Sequence, residues 1–97
     1  MRIVARKTLR DFWAAYPDAE EPLKAWFREA KNAVWESPAT VKILYRHASV
    51  LKDGRMVFNI AGNKYHLVVR INYAIGIVYI RFVGTHKEYD KIDVDTI

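Results

Sequence analysis

The chain has 97 residues, a formal net charge of +5 and no cysteine, and 52% of its residues are hydrophobic. That length makes one domain, residues 1–97, and the absence of thiols excludes disulfides and thiolate metal sites. No segment approaches the ~18 apolar residues of a membrane span, and the N-terminus has no apolar stretch of signal-peptide length. A soluble, cytoplasmic protein without membrane contact is therefore expected.

Residues 2–5 read as a short edge strand. Leu9, Phe12, Trp13 and Tyr16 then follow at i, i+3, i+4 and i+7, one face of a helix that Pro17 stops. Asp18 reads as an N-cap, with Glu21 three residues later completing a capping-box pair that opens a second helix. The apolar stripe of that helix is Leu23, Trp26, Phe27, Ala30 and Val34. Glu20 and Glu21 near its start and Lys31 near its end suit the helix dipole. Ser37-Pro38 starts a third, shorter helix with Val41, Leu44 and Tyr45 on its apolar face. Asp53-Gly54 marks a turn. From Arg55 the apolar period changes from 3.6 to 2, and residues 55–61, 64–73 and 76–84 read as three strands. The fold class that follows is α+β: N-terminal helices packed on one face of an antiparallel sheet, with the opposite face open.

The turns set a register. A two-residue Gly62-Asn63 turn pairs Asn59 with His66, Val57 with Val68 and Arg55 with Arg70. A two-residue Ala74-Ile75 turn puts Tyr79 opposite Arg70 and Arg81 opposite Val68. Alternation then sends Met56, Phe58, Ile60, Tyr65, Leu67, Val69, Ile71, Tyr73, Val78, Ile80 and Phe82 to an apolar face that buries against the Trp13 and Trp26 helices. The second face receives Arg55, Val57, Asn59, His66, Val68, Arg70, Asn72, Ile77, Tyr79, Arg81 and Val83.

Charge is segregated along the chain. Between residues 38 and 87 there are eight bases and one acid, Asp53, a local net charge of +7. The second face carries three arginines and no carboxylate, which favours an anionic ligand such as a phosphate backbone. His47, His66 and His86 stand apart in sequence, so no metal-ligand spacing is present, and neither a glycine-rich phosphate loop nor a serine elbow occurs. What remains is acid–base chemistry on RNA without metal or other cofactor. The RNA 2′-OH is the nucleophile, histidine titrates in the useful range and arginine stabilises charge on the phosphate. His66, Arg70, Arg81, His86 and Tyr89 are the candidate catalytic residues. Each also has a plain structural reading: His66 as a surface strand residue, the arginines as ion-pair partners, Tyr89 as a core plug.

The runs Val57-Phe58-Asn59-Ile60-Ala61-Gly62-Asn63-Lys64 and Tyr79-Ile80-Arg81-Phe82-Val83-Gly84-Thr85-His86-Lys87-Glu88-Tyr89-Asp90 resemble the HigB branch of the RelE-type toxins. The likeness extends over nearly the whole chain and is least diagnostic in the helical half. It implies an mRNA interferase of a type II toxin–antitoxin system, which cuts messenger RNA on the ribosome by metal-free 2′-OH attack. It also implies a cognate HigA-like helix-turn-helix antitoxin, with operator DNA contacted only through that partner. Carried over by position, Arg81 would stabilise the phosphate, His86 would carry the proton, Tyr89 would stack or assist and Asp90 would orient a neighbour. Asn59, Asn63, Lys64, Arg55 and Lys87 would contact RNA. Relatives of this type often carry arginine where His66 stands, which leaves its role open between phosphate clamp and acid–base group. A non-catalytic binding module, a gyrase inhibitor or a ribosome- or RNA-binding factor, is the alternative.

Overall fold

The computed structural model describes residues 1–97. Three strands in succession build the sheet: β3 (Arg55–Ile60), β4 (Tyr65–Asn72) and β5 (Ile77–Thr85). A two-residue strand, β2 (Ser49–Val50), pairs antiparallel with β3 at one edge, and β1 (Arg2–Val4) pairs with β5 at the other. The order is β1-β5-β4-β3-β2. β1 runs parallel to β5, so the sheet is antiparallel except at that edge.

Helices α1 (Arg6–Ala15), α2 (Glu20–Asn32) and α3 (Pro38–Leu44) supply the other layer. Their apolar stripes meet the inner face of the sheet in a core that includes Leu9, Leu23, Trp26, Phe58, Leu67 and Val78. Phe58 is its aromatic centre. Its ring lies 4.9 Å from Tyr45, 5.4 Å from Trp26 and 6.1 Å from Trp35. Trp13 is only half-buried, with the Lys24 ammonium 5.5 Å from its ring.

Several sequence expectations change for local reasons. Asp18 caps no helix: a 3₁₀ turn over Pro17–Ala19 precedes α2, whose N-cap is Ala19. The Asp18 carboxylate instead accepts from Lys64 Nζ and Tyr65 Oη across the molecule. Those bonds hold its pKa below the usual carboxylate value, Lys64 contributing most. α2 ends at Asn32 because Ala33 is extended, so Val34 leaves the apolar stripe and is 77% exposed. Leu44, at the end of α3, is 60% exposed, whereas Ser37 caps α3 as expected.

The β3–β4 register is the expected one, from Arg55↔Arg70 to Ile60↔Tyr65. The hairpin loop takes four residues rather than two, since Ala61, Gly62 and Asn63 all have positive φ and Lys64 N–H donates to Ile60 O at 3.1 Å. One residue is lost from each strand, so the pairing is unchanged. The β4–β5 register departs from expectation. Arg70↔Tyr79 holds, but beyond Val69↔Ile80 the next pair is Val68↔Phe82, and Arg81 is left over in a β-bulge. Phe82 therefore lies on the outer face and Val83 packs against the core, the reverse of the strict alternation expected.

Phe58 is 1% exposed and touches three aromatic rings. Phe58→Ala should remove about 3–5 kcal/mol of stability. In urea this reads as a lower midpoint at an unchanged slope. A loss below about 1 kcal/mol, the range of a surface change, would mean that this ring does not anchor the two layers.

Candidate nucleic-acid interface

The bulge decides what stands opposite β4 on the outer face. With one extra residue in β5, Gly84 comes opposite His66. A Cβ at position 84 would overlap the Phe82 ring and approach Glu88 Oε1 to 3.1 Å, so only glycine fits there. Thr85 then caps α4 (His86–Tyr89) in a full capping box: its hydroxyl accepts from Glu88 N–H, and Glu88 Oε1 accepts from Thr85 N–H at 2.9 Å. That cap fixes where α4 begins and so where its first residue, His86, projects.

His86 projects onto His66. The two side chains, isolated in sequence, meet with Nε2 of His66 2.8 Å from Nδ1 of His86. The second nitrogen of His86, Nε2, bonds the carbonyl oxygen of Asn63 in the β3–β4 hairpin. A carbonyl only accepts, so Nε2 of His86 carries hydrogen. In the neutral pair Nδ1 of His86 is then the acceptor, and Nε2 of His66 donates to it. Nδ1 of His66 is left bare, buried and without a partner. The ring of Tyr89 lies 4.5 Å from that of His66 on one side and 6.5 Å from Phe82 on the other.

Burial, followed by the charge His86 can carry, holds the His66 pKa below its usual 6.5, with Asp90 opposing. Burial raises the Tyr89 pKa, aided by Asp95 and Asp90, so its hydroxyl stays protonated. No three histidine or carboxylate side chains converge as a metal-ligand set.

The arginines gather elsewhere on the same face. Arg55, Arg70 and Arg81 line one open cavity of about 680 Å³ with Tyr73 and Tyr79. The Arg81 guanidinium lies 5.6 Å from the Tyr79 ring centre. The face is not free of carboxylate, as the sequence suggested. Asp53 lines the same cavity, with its carboxylate 3.8 Å from Arg55, and its carbonyl accepts from Arg70 Nε at 3.1 Å. Arg55 is also bonded to the Ile97 carbonyl at 3.0 Å, and its side chain is 12% exposed. His66 and Arg70 are four residues apart on β4, so about 13 Å of strand separates them.

The sequence-predicted site residues thus fall into separate groups. His66, His86, Tyr89 and the Asn63 backbone come together. Arg70 and Arg81 form the second group, with Arg55 largely engaged. Lys64 is held by Asp18, while Asn59 and Lys87 are exposed and Asn59 pairs with His66. Nor is the outer face open throughout. Val57 and Val68 point outward yet are 4% and 0% exposed, and they lie outside the main core. The segment after α4 returns to β3, where the Ile97 carbonyl accepts from Arg55. Sequence reasoning missed both the bulge and this return.

His66 should titrate below 6.5 when followed by NMR at its ring nitrogens, and His86→Ala should move that midpoint upward. Because the unfolded chain binds this proton more tightly than the folded one, stability should fall as pH drops below about 6.5. A native His66 midpoint at or above 6.5 would contradict the buried, His86-facing geometry.

The profile of the HigB toxins, described as the RelE-like toxic component of a toxin–antitoxin system, matches residues 19–92. The chain is 30% identical over 92 residues to the mRNA interferase toxin HigB of Escherichia coli strain K12. That alignment covers 93% of this chain and 88% of the relative. The mRNA interferases HigB of Escherichia coli O157:H7 and Shigella flexneri match to the same extent. No helix is long and apolar enough to cross a membrane. With a family match over most of its length and a helix-on-sheet fold of the RelE-like kind, the chain belongs to the HigB family of RelE-like toxins.

Proposed function

We propose that this protein is an endoribonuclease, an mRNA interferase that cuts messenger RNA on the ribosome in the cytoplasm without a metal ion. The observation that carries this reading is the pair of imidazoles at His66 and His86, on the same sheet face as a cavity lined by arginines. Its relatives are named for the same activity.

In the reaction the ribose 2′-OH gives its proton to an imidazole as its oxygen bonds to phosphorus. The bond from phosphorus to the 5′-oxygen breaks, and that oxygen takes the proton back from the imidazolium. The products are a 2′,3′-cyclic phosphate and a 5′-hydroxyl. His86 is the proton carrier, because it is exposed at the first residue of α4. His66, half-buried beside it, donates its Nε2 hydrogen to Nδ1 of His86 and so holds that ring in place until substrate enters. Both nitrogens of His86 are engaged at rest, so the ribose-phosphate must replace the bond to His66 as it enters. Tyr89 keeps its proton and donates a hydrogen bond or stacks on a base. Arg70 and Arg81, a strand's length away, hold RNA phosphate with bidentate hydrogen bonds, and Arg81 has no carboxylate partner to compete. Asn59 and Lys87 add contacts along the path, and Asp90 orients His66. A cognate antitoxin of the HigA-like helix-turn-helix kind silences the toxin and supplies the complex's contacts to operator DNA.

Induced without its antitoxin, the protein should arrest growth and fragment messenger in a translation-dependent way. His86→Ala should keep the thermal midpoint while slowing cutting by about 10²–10⁴-fold. Binding to single-stranded RNA should weaken with salt, at a log–log slope near −3 if about four phosphates are neutralised. Intact messenger with collapsed supercoiling would sink the nuclease reading in favour of a gyrase inhibitor.

A further inference from the structure

A second cavity, of about 510 Å³, lies on the other side of the hairpin that holds His86. Its walls come from three places: Leu44, Arg46 and His47 at and after the end of α3, Asn59 on β3, and Gly62 and Asn63 in the β3–β4 loop. We propose that this cavity takes one unpaired base of the RNA, next to the bond that is cut, and so sets the base preference of cutting. The inference rests on the nuclease reading above and deepens it.

The composition of the walls matches a base. Leu44, 60% exposed, lines the cavity with Tyr45 and Phe58, and His47 offers a flat ring. A base presents π-faces to such groups and a hydrogen-bonding edge to amides. Asn59 supplies an exposed amide at that position. β2 pairs only with Met56 and Val57, so β3 beyond Val57 has an outer edge without a strand partner, and main-chain donors and acceptors are available there. Arg46 is exposed and makes no ion pair, which leaves a cation for the attached phosphate.

The wall is also fixed in advance. Lys42 Nζ donates to the Arg46 carbonyl at 2.7 Å and to the Ala48 carbonyl at 2.6 Å, and Ala48 N–H donates to Tyr45 O at 3.1 Å. These bonds pin the loop that carries Arg46 and His47, so little ordering is needed when a ligand enters. The link to the chemistry is Asn63. It lines this cavity and its carbonyl receives the Nε2 hydrogen of His86. Asn63 thus joins a nucleotide seated here to the histidine pair.

The test is 5′-end sequencing of cut messenger from cells producing the wild type, Leu44→Glu, or His47→Ala, with each purified protein's melting midpoint as the folding control. Wild type should favour particular bases at one fixed offset from the cut. In both variants that preference should fall by about tenfold or more, the scale of losing one base stack, while cutting continues. Unchanged bias in both variants, with His86→Ala still inactive, would overturn the base pocket and leave the nuclease reading standing. A wild type that cuts without base bias would overturn it too. So would a folded variant that cuts nothing, because a base pocket touches no reacting atom. A wild type that cuts no RNA would instead remove the nuclease reading, and this inference with it.

Discussion

Arg81 has no partner on β4, and this one extra residue sets which side chains meet on the outer face. Under strict alternation Arg81 would sit opposite Val68 and Val83 would face outward beside His66. With the bulge, Phe82 and Gly84 take the outer positions, and Val83 turns into the core. Gly84 leaves the room that the Phe82 ring and the start of α4 require. The capping box at Thr85 then aims His86 at His66. Bulges intensify local twist and re-aim side chains, which is why they recur beside functional sites. Here the same irregularity also leaves Arg81 free of a cross-strand neighbour and exposed at the rim of the arginine cavity.

The charge segregation along the sequence resolves partly within the molecule. The basic middle of the chain forms the outer face, and the acidic C-terminal segment with Asp90, Asp93 and Asp95 folds back over it. That segment has its own hydrogen bonds, from Thr96 N–H to Asp93 O at 3.1 Å and from Asp95 N–H to Asp93 Oδ1 at 3.1 Å. Its far end engages Arg55. Val57 and Val68, aliphatic positions on a polar face, are nonetheless buried. What stays uncompensated is smaller than the net charge suggests: Arg81, Arg46, Lys52 and Lys87 on the exposed surface, with Arg70 held only by a backbone carbonyl. The interface is therefore a set of placed cations rather than a broad positive sheet.

Most of the architecture was legible because it depends on periodicity. The change from period 3.6 to period 2 at Arg55, the Ser37 cap and the turn residues at Gly62-Asn63 each act through a few neighbouring positions. The β3–β4 register survived an error in loop length because the loop grew symmetrically, one residue on each side. Three features depended on partners distant in sequence and were not legible. Asp18 had the spacing of a capping box, but Lys64 and Tyr65 offered its carboxylate stronger bonds. Val34 continued an apolar stripe beyond the point where the backbone turned extended. The bulge had one hint, Gly84 in a strand interior, a position where glycine often marks a bulge or close backbone approach. A bulge marked by that glycine moves Phe82 outward and sets Gly84 opposite His66.

The histidine pair is the part of the site in which structure and chemistry pull against each other. Its bonds to Asn63 and between the rings give both imidazoles a fixed orientation and a fixed tautomer. The same bonds occupy both nitrogens of His86 and leave Nδ1 of His66 buried and unpaired. An unsatisfied buried acceptor costs about 1–3 kcal/mol. At rest the two rings are packed together, and burial first, then His86, holds the His66 pKa below its usual value. A substrate that separates the rings meets an imidazole, His86, whose position the Thr85 cap has already set. The stability given up at His66 is the cost of holding an acid–base group ready on a face that the chain otherwise covers with its own C-terminal segment.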